Sequence, residues 1–235
     1  MQALEGWQAS LSNNLANASS PGFQKNAFFI AQPIAVAEGE EGSTPEMKAL
    51  PPLEGRPVRV FEPGAIRSTN NPLDFAVKGD GFFGVRGPEG ETYYTRNGGF
   101  QLNREGVLVN KQGMEVMGKG GTITVRLEDG PLSMAGDGTL SQAGQPIGQI
   151  AVYTFANREA LETQNGSFFL DRAGEAGASP LENPNVLQGH LMESSVSPLS
   201  EMVSMIQVSR SYELVQKLIQ DSDERGDQVI RTFSV

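Results

Sequence analysis

A glycine-rich segment at residues 79–84 is the first candidate for chemistry in this 235-residue chain. Its sequence, GDGFFG, matches the G-x-G-x-x-G pattern that binds a dinucleotide pyrophosphate where a helix begins. The residues that follow, Val85 to Pro88, form a short β-prone run and a turn instead of a helix start. We therefore expect no cofactor here and interpret the three glycines as parts of a β-hairpin.

The polar side chains that could catalyse a reaction or bind a metal stand apart in the sequence. Asp74 and Asp80 could act as an acid–base pair, but Asp80 opens an Asp-Gly turn and Asp74 follows a sequence where it could cap a turn. His190 is the only histidine and there is no cysteine, which disfavours a metal site and excludes a cysteine nucleophile. The glutamates between residues 38 and 46 lack the spacing of a calcium loop. The sequence therefore predicts no catalytic, cofactor-binding or metal-binding residue, and no enzyme.

The composition narrows the range of partners. The formal net charge is −10, whereas proteins that bind nucleic acid usually present a basic face to the phosphates. The chain has no apolar run of about 18 residues, so no membrane insertion is expected. The first 22 residues lack the basic start and apolar core of a signal peptide, so export would need a route without a cleaved signal.

Both ends of the chain carry the apolar periodicity of a helix. Near the start, apolar residues recur at spacings of three and four, and Pro21 with Gly22 ends the pattern. Towards the end, a helix is predicted from Pro198 to about Thr232, roughly 50 Å long at 1.5 Å per residue. The apolar positions are Leu4, Trp7, Leu11 and Leu15 in the first helix, and Met205, Val208, Tyr212, Val215, Ile219, Val229 and Phe233 in the second.

The second helix alternates steps of three and four residues, which is the pattern of a coiled-coil seam. Ser222 and Gly226 interrupt this seam, and Met202, Ile206 and Leu218 widen the apolar stripe. Neither terminal helix has an obvious partner in the middle of the sequence. We therefore expect the two helices to pair with each other and then with other copies of the chain.

The middle of the chain has the texture of antiparallel β structure. Short runs rich in β-branched and aromatic residues alternate with turn dipeptides about every 8 residues, as in a sandwich or barrel-like meander. The clearest predicted hairpin joins Tyr93–Arg96 to Phe100–Leu102 through Asn97-Gly98-Gly99, because Asn-Gly favours tight turns.

The predicted fold class is mixed α and β: an antiparallel all-β central domain flanked by N- and C-terminal helices that form a coiled coil. The predicted divisions are residues 1–30 for the first helix and its following loop, 31–56 for a linker, 57–185 for the β domain, and 186–235 for the long C-terminal helix. His190 is expected in a linker-like stretch.

Several sequence blocks together resemble the rod, hook and hook-associated family of bacterial flagellar axial proteins. Residues 12–23, SNNLANASSPGF, resemble the family's A-N-N-L-A-N-x-x-T-P-G-F signature, and residues 71–83, NPLDFAVKGDGFF, resemble its N-P-L-D-x-A-I-x-G-x-G-F-F block. Further matches are YTRNG at 94–98, LNREGVLV at 102–109, LQGHLMESSV at 187–196, EMVSMI at 201–206 and RSYE at 210–213. Ser195 stands where the family has Asn, and Ser211 where it has Ala. The blocks follow the family's order over nearly the whole chain.

The resemblance implies a structural subunit of the basal-body rod, an axial drive shaft that transmits torque. The terminal helices would form an inner coiled-coil tube around the export channel, and the β domain would lie outside it. The eleven apolar helix positions given above would then be subunit-interface residues. The implied partners are other copies, neighbouring rod proteins and the flagellar type III export apparatus, which needs no cleaved signal. The implied location is the rod, in the periplasmic space.

The resemblance also bears on the subtype and on the rival functions. The chain length and single β domain favour a rod subunit over hook or filament-cap proteins, and the LEGWQ and DSDER sequences at 4–8 and 221–225 favour the proximal over the distal rod. The rivals are an envelope β-domain binding module and a peptidoglycan-acting enzyme. We further expect poorly ordered termini in a free subunit, because each apolar stripe lacks a partner until assembly.

Overall fold

The computed structural model describes residues 2–31 and 54–233, so most of the predicted 31–56 linker lies outside the described residues. The chain forms two compact units. The first, here called the helical unit, comprises Met1–Leu15, Asn26–Val58 and Pro198–Val235. The second, here called the β unit, comprises Ala16–Lys25 and Arg59–Ser197.

Both predicted terminal helices are confirmed. Helix α1 is Gln2–Ala16 and helix α2 is Pro198–Phe233. Pro198 suits the first helical position because the missing N–H would have no partner inside the helix. The chain leaves α1 through a turn in which Gly22 takes a positive φ of 70°. Strand β1, Asn26–Ala31, pairs with β2, Glu54–Arg59.

The β unit consists of short strands, joined in several sheets. In chain order they are β3 Ile66–Ser68, β4 Phe75–Val77, β5 Phe82–Arg86, β6 Thr92–Thr95, β7 Phe100–Leu102, β8 Leu108–Asn110, β9 Glu115–Gly118, β10 Gly121–Thr122, β11 Leu132–Met134, β12 Thr139–Gln142, β13 Gln145–Gln149, β14 Val152–Phe155, β15 Glu162–Gln164, β16 Phe168–Leu170, β17 Ala178–Pro180, β18 Val186–Gln188 and β19 His190–Met192. Short 3-10 helices occupy Leu127–Asp129 and Arg158–Ala160.

The largest sheet has ten strands, with the path β15-β16-β6-β5-β9-β8-β7. Strand β10 adds to β9, and β14 pairs with both β5 and β17. Smaller sheets join β11-β12-β13, β4 with β18, and β3 with β19. The registered pairs within the β unit are antiparallel, which confirms the predicted β character, and the sheets are open. His190 lies in strand β19, so its predicted linker position is wrong.

Two of the predicted hairpins are wrong. Strands β6 and β7 do not pair with each other, because β6 lies between β5 and β16 whereas β7 pairs with β8. Between them, Asn97 Oδ1 accepts a hydrogen bond from Gly99 N at 3.0 Å, and the Phe75 N–H donates to the Gly98 carbonyl at 2.9 Å. A Cβ on Gly98 would overlap the Phe75 carbonyl, so this glycine serves a close backbone approach instead of a tight turn.

The glycine-rich segment at 79–84 is likewise neither a cofactor loop nor a hairpin. Strand β5 starts at Phe82 where a dinucleotide site would need a helix, and the preceding strand β4 pairs with β18. Gly79 has a positive φ of 96°. A Cβ on Gly81 would meet the side chains of Val77 and Val152, so close packing also requires glycine there.

The core of the β unit has two hydrophobic clusters. The larger is built from aliphatic and aromatic residues of the main sheet and its neighbours, including Phe75, Phe83, Leu108, Ile150 and Val186. The smaller surrounds Phe82, whose ring centroid lies 6.0 Å from Phe61, 5.2 Å from Phe155 and 5.6 Å from Phe169, all in edge-to-face geometry. Edge-to-face pairs add stabilisation beyond simple burial.

Candidate assembly surface

The apolar residues predicted on α1 differ in their exposure. Leu11 is buried, whereas Leu4, Trp7 and Leu15 are half-buried. The ring of Phe28 in β1 lies so close to Gly6 of α1 that a Cβ at Gly6 would contact it at 2.8 Å. The first helix therefore packs against its own chain through Leu11 of the predicted stripe and at Gly6, which lies outside that stripe.

The apolar residues predicted on α2 follow its more buried face. Val208 is fully buried, and Met205, Tyr212 and Val215 are half-buried, while Ile219 is exposed. Val229 and Phe233 belong to the helix, but their side chains fall outside what the structure describes. The heptad spacing thus marks the face that this single chain already covers over its first turns.

A second apolar face on α2 is exposed to solvent. We call it the outer patch, and its residues are Leu199, Met202, Val203 and Ile206, between 47% and 72% exposed. At about 100° per residue the four side chains leave the helix within an arc of about 100°, on the side opposite Val208. The sequence predicts that Met202 and Ile206 belong to one widened apolar stripe. In the structure they lie on the other side of α2 from Val208.

The outer patch ends in charged residues. Further along the same face of α2 come Arg210, Glu213 and Lys217, at spacings of four, three and four residues after Ile206, and all three are exposed. Their charges alternate along the face, a pattern typical of solvated or helix-pairing surfaces. Leu214 and Leu218 add exposed apolar area beside this charged section.

A buried polar group joins the two helices. Asn14 of α1 donates from Nδ2 to Glu201 Oε2 of α2 at 3.0 Å, and both residues are buried. The same Nδ2 donates to the Asn26 carbonyl at 2.8 Å, and Asn14 Oδ1 accepts from Asn26 N at 2.9 Å. By helix propensity alone, Asn14 is an unfavourable residue in α1. Its contacts explain why asparagine stands there.

Three separate sequence blocks meet in the β unit. The first block is residues 12–23 and the last is residues 187–196. The Gly22 N–H donates to the Met192 carbonyl at 2.8 Å, and the Ser195 N–H donates to the Phe23 carbonyl at 3.0 Å. A Cβ on Gly22 would contact the backbone of Arg96 and Asn97, from the middle block. The segments that enter and leave the β unit are therefore fixed next to each other.

Arg96 lies where these three sequence blocks contact each other. It is almost fully buried, its Nη1 donates to the Gly79 carbonyl at 3.0 Å, and its guanidinium lies 4.6 Å from the centroid of the Phe82 ring. Burial lowers the pKa of Arg96 to about 10, so the group remains charged at neutral pH. A buried cation over an aromatic face is a stabilising arrangement.

Asp80 and Asp74, which could form an acid–base pair on sequence alone, each have other partners in the structure. Arg158 contacts both of its carboxylate oxygens, at 3.2 and 3.0 Å, and Arg96 lies 3.7 Å away. The hydrogen bond from Arg158 is the main cause that lowers the pKa of the Asp80 carboxyl below its usual value. Asp74 is buried and accepts a hydrogen bond from the Asn71 side chain at 3.1 Å.

Within residues 2–31 and 54–233, no three His, Cys, Asp or Glu side chains are grouped so that they could hold a metal ion. Over the part of the chain that the structure describes, neither helix combines the length and apolar character needed to cross a membrane.

Family models match two parts of the chain. Residues 76–144 match the model described as flagellar hook protein FlgE/F/G D1 domain, and residues 187–232 match the model described as flagellar basal body rod FlgEFG protein C-terminal. The first match covers most of the main sheet, and the second covers most of β18, all of β19 and nearly all of α2, including the outer patch.

Relatives of similar length resemble the chain almost from end to end. Flagellar basal-body rod protein FlgF of Salmonella typhimurium is 33% identical, covering 97% of this chain and 92% of the relative. Flagellar basal-body rod protein FlgG of Borreliella burgdorferi is also 33% identical, covering 91% of this chain and 88% of the relative. FlgF of Mesorhizobium japonicum is 30% identical over 98% of this chain and 93% of its own length.

Proposed function

This chain belongs to the flagellar basal-body rod protein family, and we propose that it serves as a structural subunit of the rod, not as an enzyme. Copies would stack helically into an axial shaft that transmits torque and surrounds the export channel. Contacts between unlike surfaces that do not close into a ring generate such a filament.

The observation that carries this proposal is the outer patch. Four large apolar side chains side by side on an exposed helix face are costly in a free monomer, and contiguous exposed apolar surface marks an interaction site. The alternating charges that follow on the same face would align one helix against another. Both features suit a surface that another copy of the chain covers.

We also propose that the terminal helices form the coiled-coil inner tube of the rod. The interface would include the predicted residues Leu4, Trp7, Leu11, Leu15, Met205, Val208, Tyr212, Val215, Ile219, Val229 and Phe233. Of these, Leu11 and Val208 are buried in the single chain and would act by holding the helices in place. The half-buried and exposed members can contact neighbouring copies or other rod proteins directly.

We also propose where the subunit is located and how it is exported. The subunit would reach the periplasmic rod through the flagellar export apparatus without a cleaved signal peptide. The position within the rod is proposed as proximal, on the resemblance of residues 4–8 and 221–225. Sequence identity alone does not separate FlgF from FlgG, because one relative of each name is 33% identical to the chain.

Deletion of the gene in its host tests the role in the rod. We expect loss of swimming, and electron microscopy of basal bodies should show the membrane ring without hook or filament. A basal body that lacks the rod would place the subunit proximally, whereas a short remaining rod would place it distally. Normal flagella and full motility would contradict the proposal. In that event a muramidase assay on the purified protein would test the peptidoglycan-enzyme rival.

A further inference from the structure

We propose that Asn165 is a site of slow, spontaneous deamidation, and that the fold favours this modification at Asn165 and hinders it at Asn97. These are the two asparagines that precede a glycine in the sequence. An asparagine before glycine is the most reactive kind, because glycine has no side chain to shield its backbone nitrogen. The inference goes beyond the proposed function and does not depend on it.

The reaction needs only water besides the protein. The backbone nitrogen of Gly166 loses its proton and attacks Cγ of the Asn165 side chain. A bond from this nitrogen to Cγ forms, the bond from Cγ to Nδ2 breaks, and ammonia leaves, which produces a five-membered succinimide ring. Water then opens the ring at either carbonyl group, so the product is an aspartyl or an isoaspartyl residue. Nothing is oxidised or reduced, and each product carries a negative charge that the amide lacks.

The turn that contains Asn165 leaves both reacting groups free. Asn165 is exposed, and its φ of 47° and the φ of 79° at Gly166 are both positive. The Ser167 N–H donates to the Asn165 carbonyl at 3.0 Å, and Arg59 Nη1 donates to the Gly166 carbonyl at 3.0 Å. In the part of the chain that the structure describes, neither the Asn165 side-chain amide nor the Gly166 N–H has a hydrogen-bond partner.

The position of this turn in the sheet also allows its backbone to move. The turn joins β15 to β16, and β15 is a three-residue strand at the end of the main sheet's path, without a buried residue. An exposed edge of this kind opens locally at a low cost in free energy. The Gly166 nitrogen can therefore approach Cγ of Asn165 without unfolding of the β unit.

At Asn97 the same two groups are held in place. Asn97 Oδ1 accepts a hydrogen bond from Gly99 N at 3.0 Å. Gly98 is buried, and its carbonyl accepts from Phe75 N at 2.9 Å and from Phe100 N at 3.0 Å. Attack on Cγ would require the Asn97 side chain to give up its hydrogen bond and Gly98 to turn away from Phe75. Both movements open the core of the β unit, which costs more free energy than opening an exposed turn.

The experiment follows deamidation by mass spectrometry in the purified full-length protein, kept at mildly alkaline pH in heavy-oxygen water. The heavy oxygen enters only where water opens a succinimide during this incubation. Digestion with trypsin in ordinary water then places Asn165 in peptide 159–172 and Asn97 in peptide 97–104, and fragment ions assign the change to one residue. We expect Asn165 to convert at least about tenfold faster than Asn97.

Two controls separate the effect of the fold from that of the sequence. In concentrated urea, which unfolds the chain, Asn97 and Asn165 should convert at similar rates because both precede glycine. Asn165→Gln should abolish conversion at this position on the same time scale, because attack on glutamine needs a six-membered ring, which closes far more slowly. A ratio below about tenfold in the folded protein overturns the proposal. An equally large ratio in urea also overturns it, because the sequence and not the fold would then set the rates.

Discussion

The two units of this chain differ in where their large apolar side chains lie, which is inside the β unit but largely on the surface of the helical unit. The β unit encloses nearly all of the buried hydrophobic residues, whereas among the described residues only Leu11 and Val208 are buried hydrophobics of the helical unit. Conversely, the large apolar side chains that are exposed all belong to the helical unit, within the part of the chain that the structure describes. They are Phe29, Leu199, Met202, Val203, Ile206, Leu214, Leu218 and Ile219.

This difference indicates which unit can fold on its own contacts. In the β unit, close backbone approaches and two hydrophobic clusters specify the structure from within. In the helical unit, a buried hydrogen bond joins Asn14 of α1 to Glu201 of α2, while more large apolar side chains of the described residues are exposed than buried. We infer that the β unit depends on its internal packing and the helical unit on its partners.

The largest expected effect comes from Gly98→Ala in the β unit. The added Cβ would overlap the Phe75 carbonyl, which is backbone and cannot move aside alone. We expect a loss of more than about 4 kcal/mol in the free energy of unfolding, measured by urea denaturation of the purified protein. Gly120→Ala, where a Cβ has no neighbour within 4 Å, is the matched control and should stay near wild type. If the two variants were equally stable, the close backbone approach at Gly98 would not be what specifies the structure of the β unit.

A pair of phenylalanine truncations compares the units directly. Phe82→Ala removes a fully buried ring from the aromatic cluster and should cost about 3–5 kcal/mol of unfolding free energy. Phe29→Ala removes an exposed ring from the helical unit and should change the monomer by about 0.5 kcal/mol or less. Thermal or urea unfolding of both variants checks this. Similar losses would mean that the helical unit relies on internal packing as much as the β unit does.

The smallest effect concerns the pH dependence of the Asp80 ion pair. Because the folded-state pKa of Asp80 is lowered, its stabilisation is present above pH 3.8 and is lost as pH falls through the folded-state value. Asp80→Asn should therefore cost less than about 1 kcal/mol at pH 7, since the carboxylate is largely exposed. The gap to wild type in the melting temperature should close as pH falls below 3.8. A constant gap from pH 7 to 3 would show that the charge plays no part.

Sequence reasoning succeeded where the signal was local. Both helices follow from apolar periodicity and from the Pro residues at their borders. Turns at Gly90, Gly106, Gly113 and Gly138 join neighbouring antiparallel strands as their dipeptides predict, with positive φ at each glycine. In these places the residues that define the structure lie next to one another in the chain.

It failed where the partner is distant in sequence. Asn97-Gly98 carries a strong hairpin signal, but the backbone that fixes Gly98 belongs to Phe75, more than twenty positions earlier. The bridging role of Asn14 depends on Glu201, 187 residues away, and helix propensity gives no hint of it. Spacing alone places Met202 and Ile206 of the outer patch in one widened stripe with Val208, because it cannot say which side of α2 the rest of the chain covers.

The measurement that tests the central claim most directly is incorporation of Ile206→Asp into basal bodies. In a strain lacking the gene, this variant is expressed beside Gln207→Asp, which adds the same charge about 100° round the helix, outside the outer patch. We expect Ile206→Asp to unfold like wild type as a purified monomer, yet to be absent from isolated basal bodies and to abolish swimming. Gln207→Asp should incorporate and swim. Normal incorporation of Ile206→Asp would contradict the assignment of the outer patch as the assembly surface.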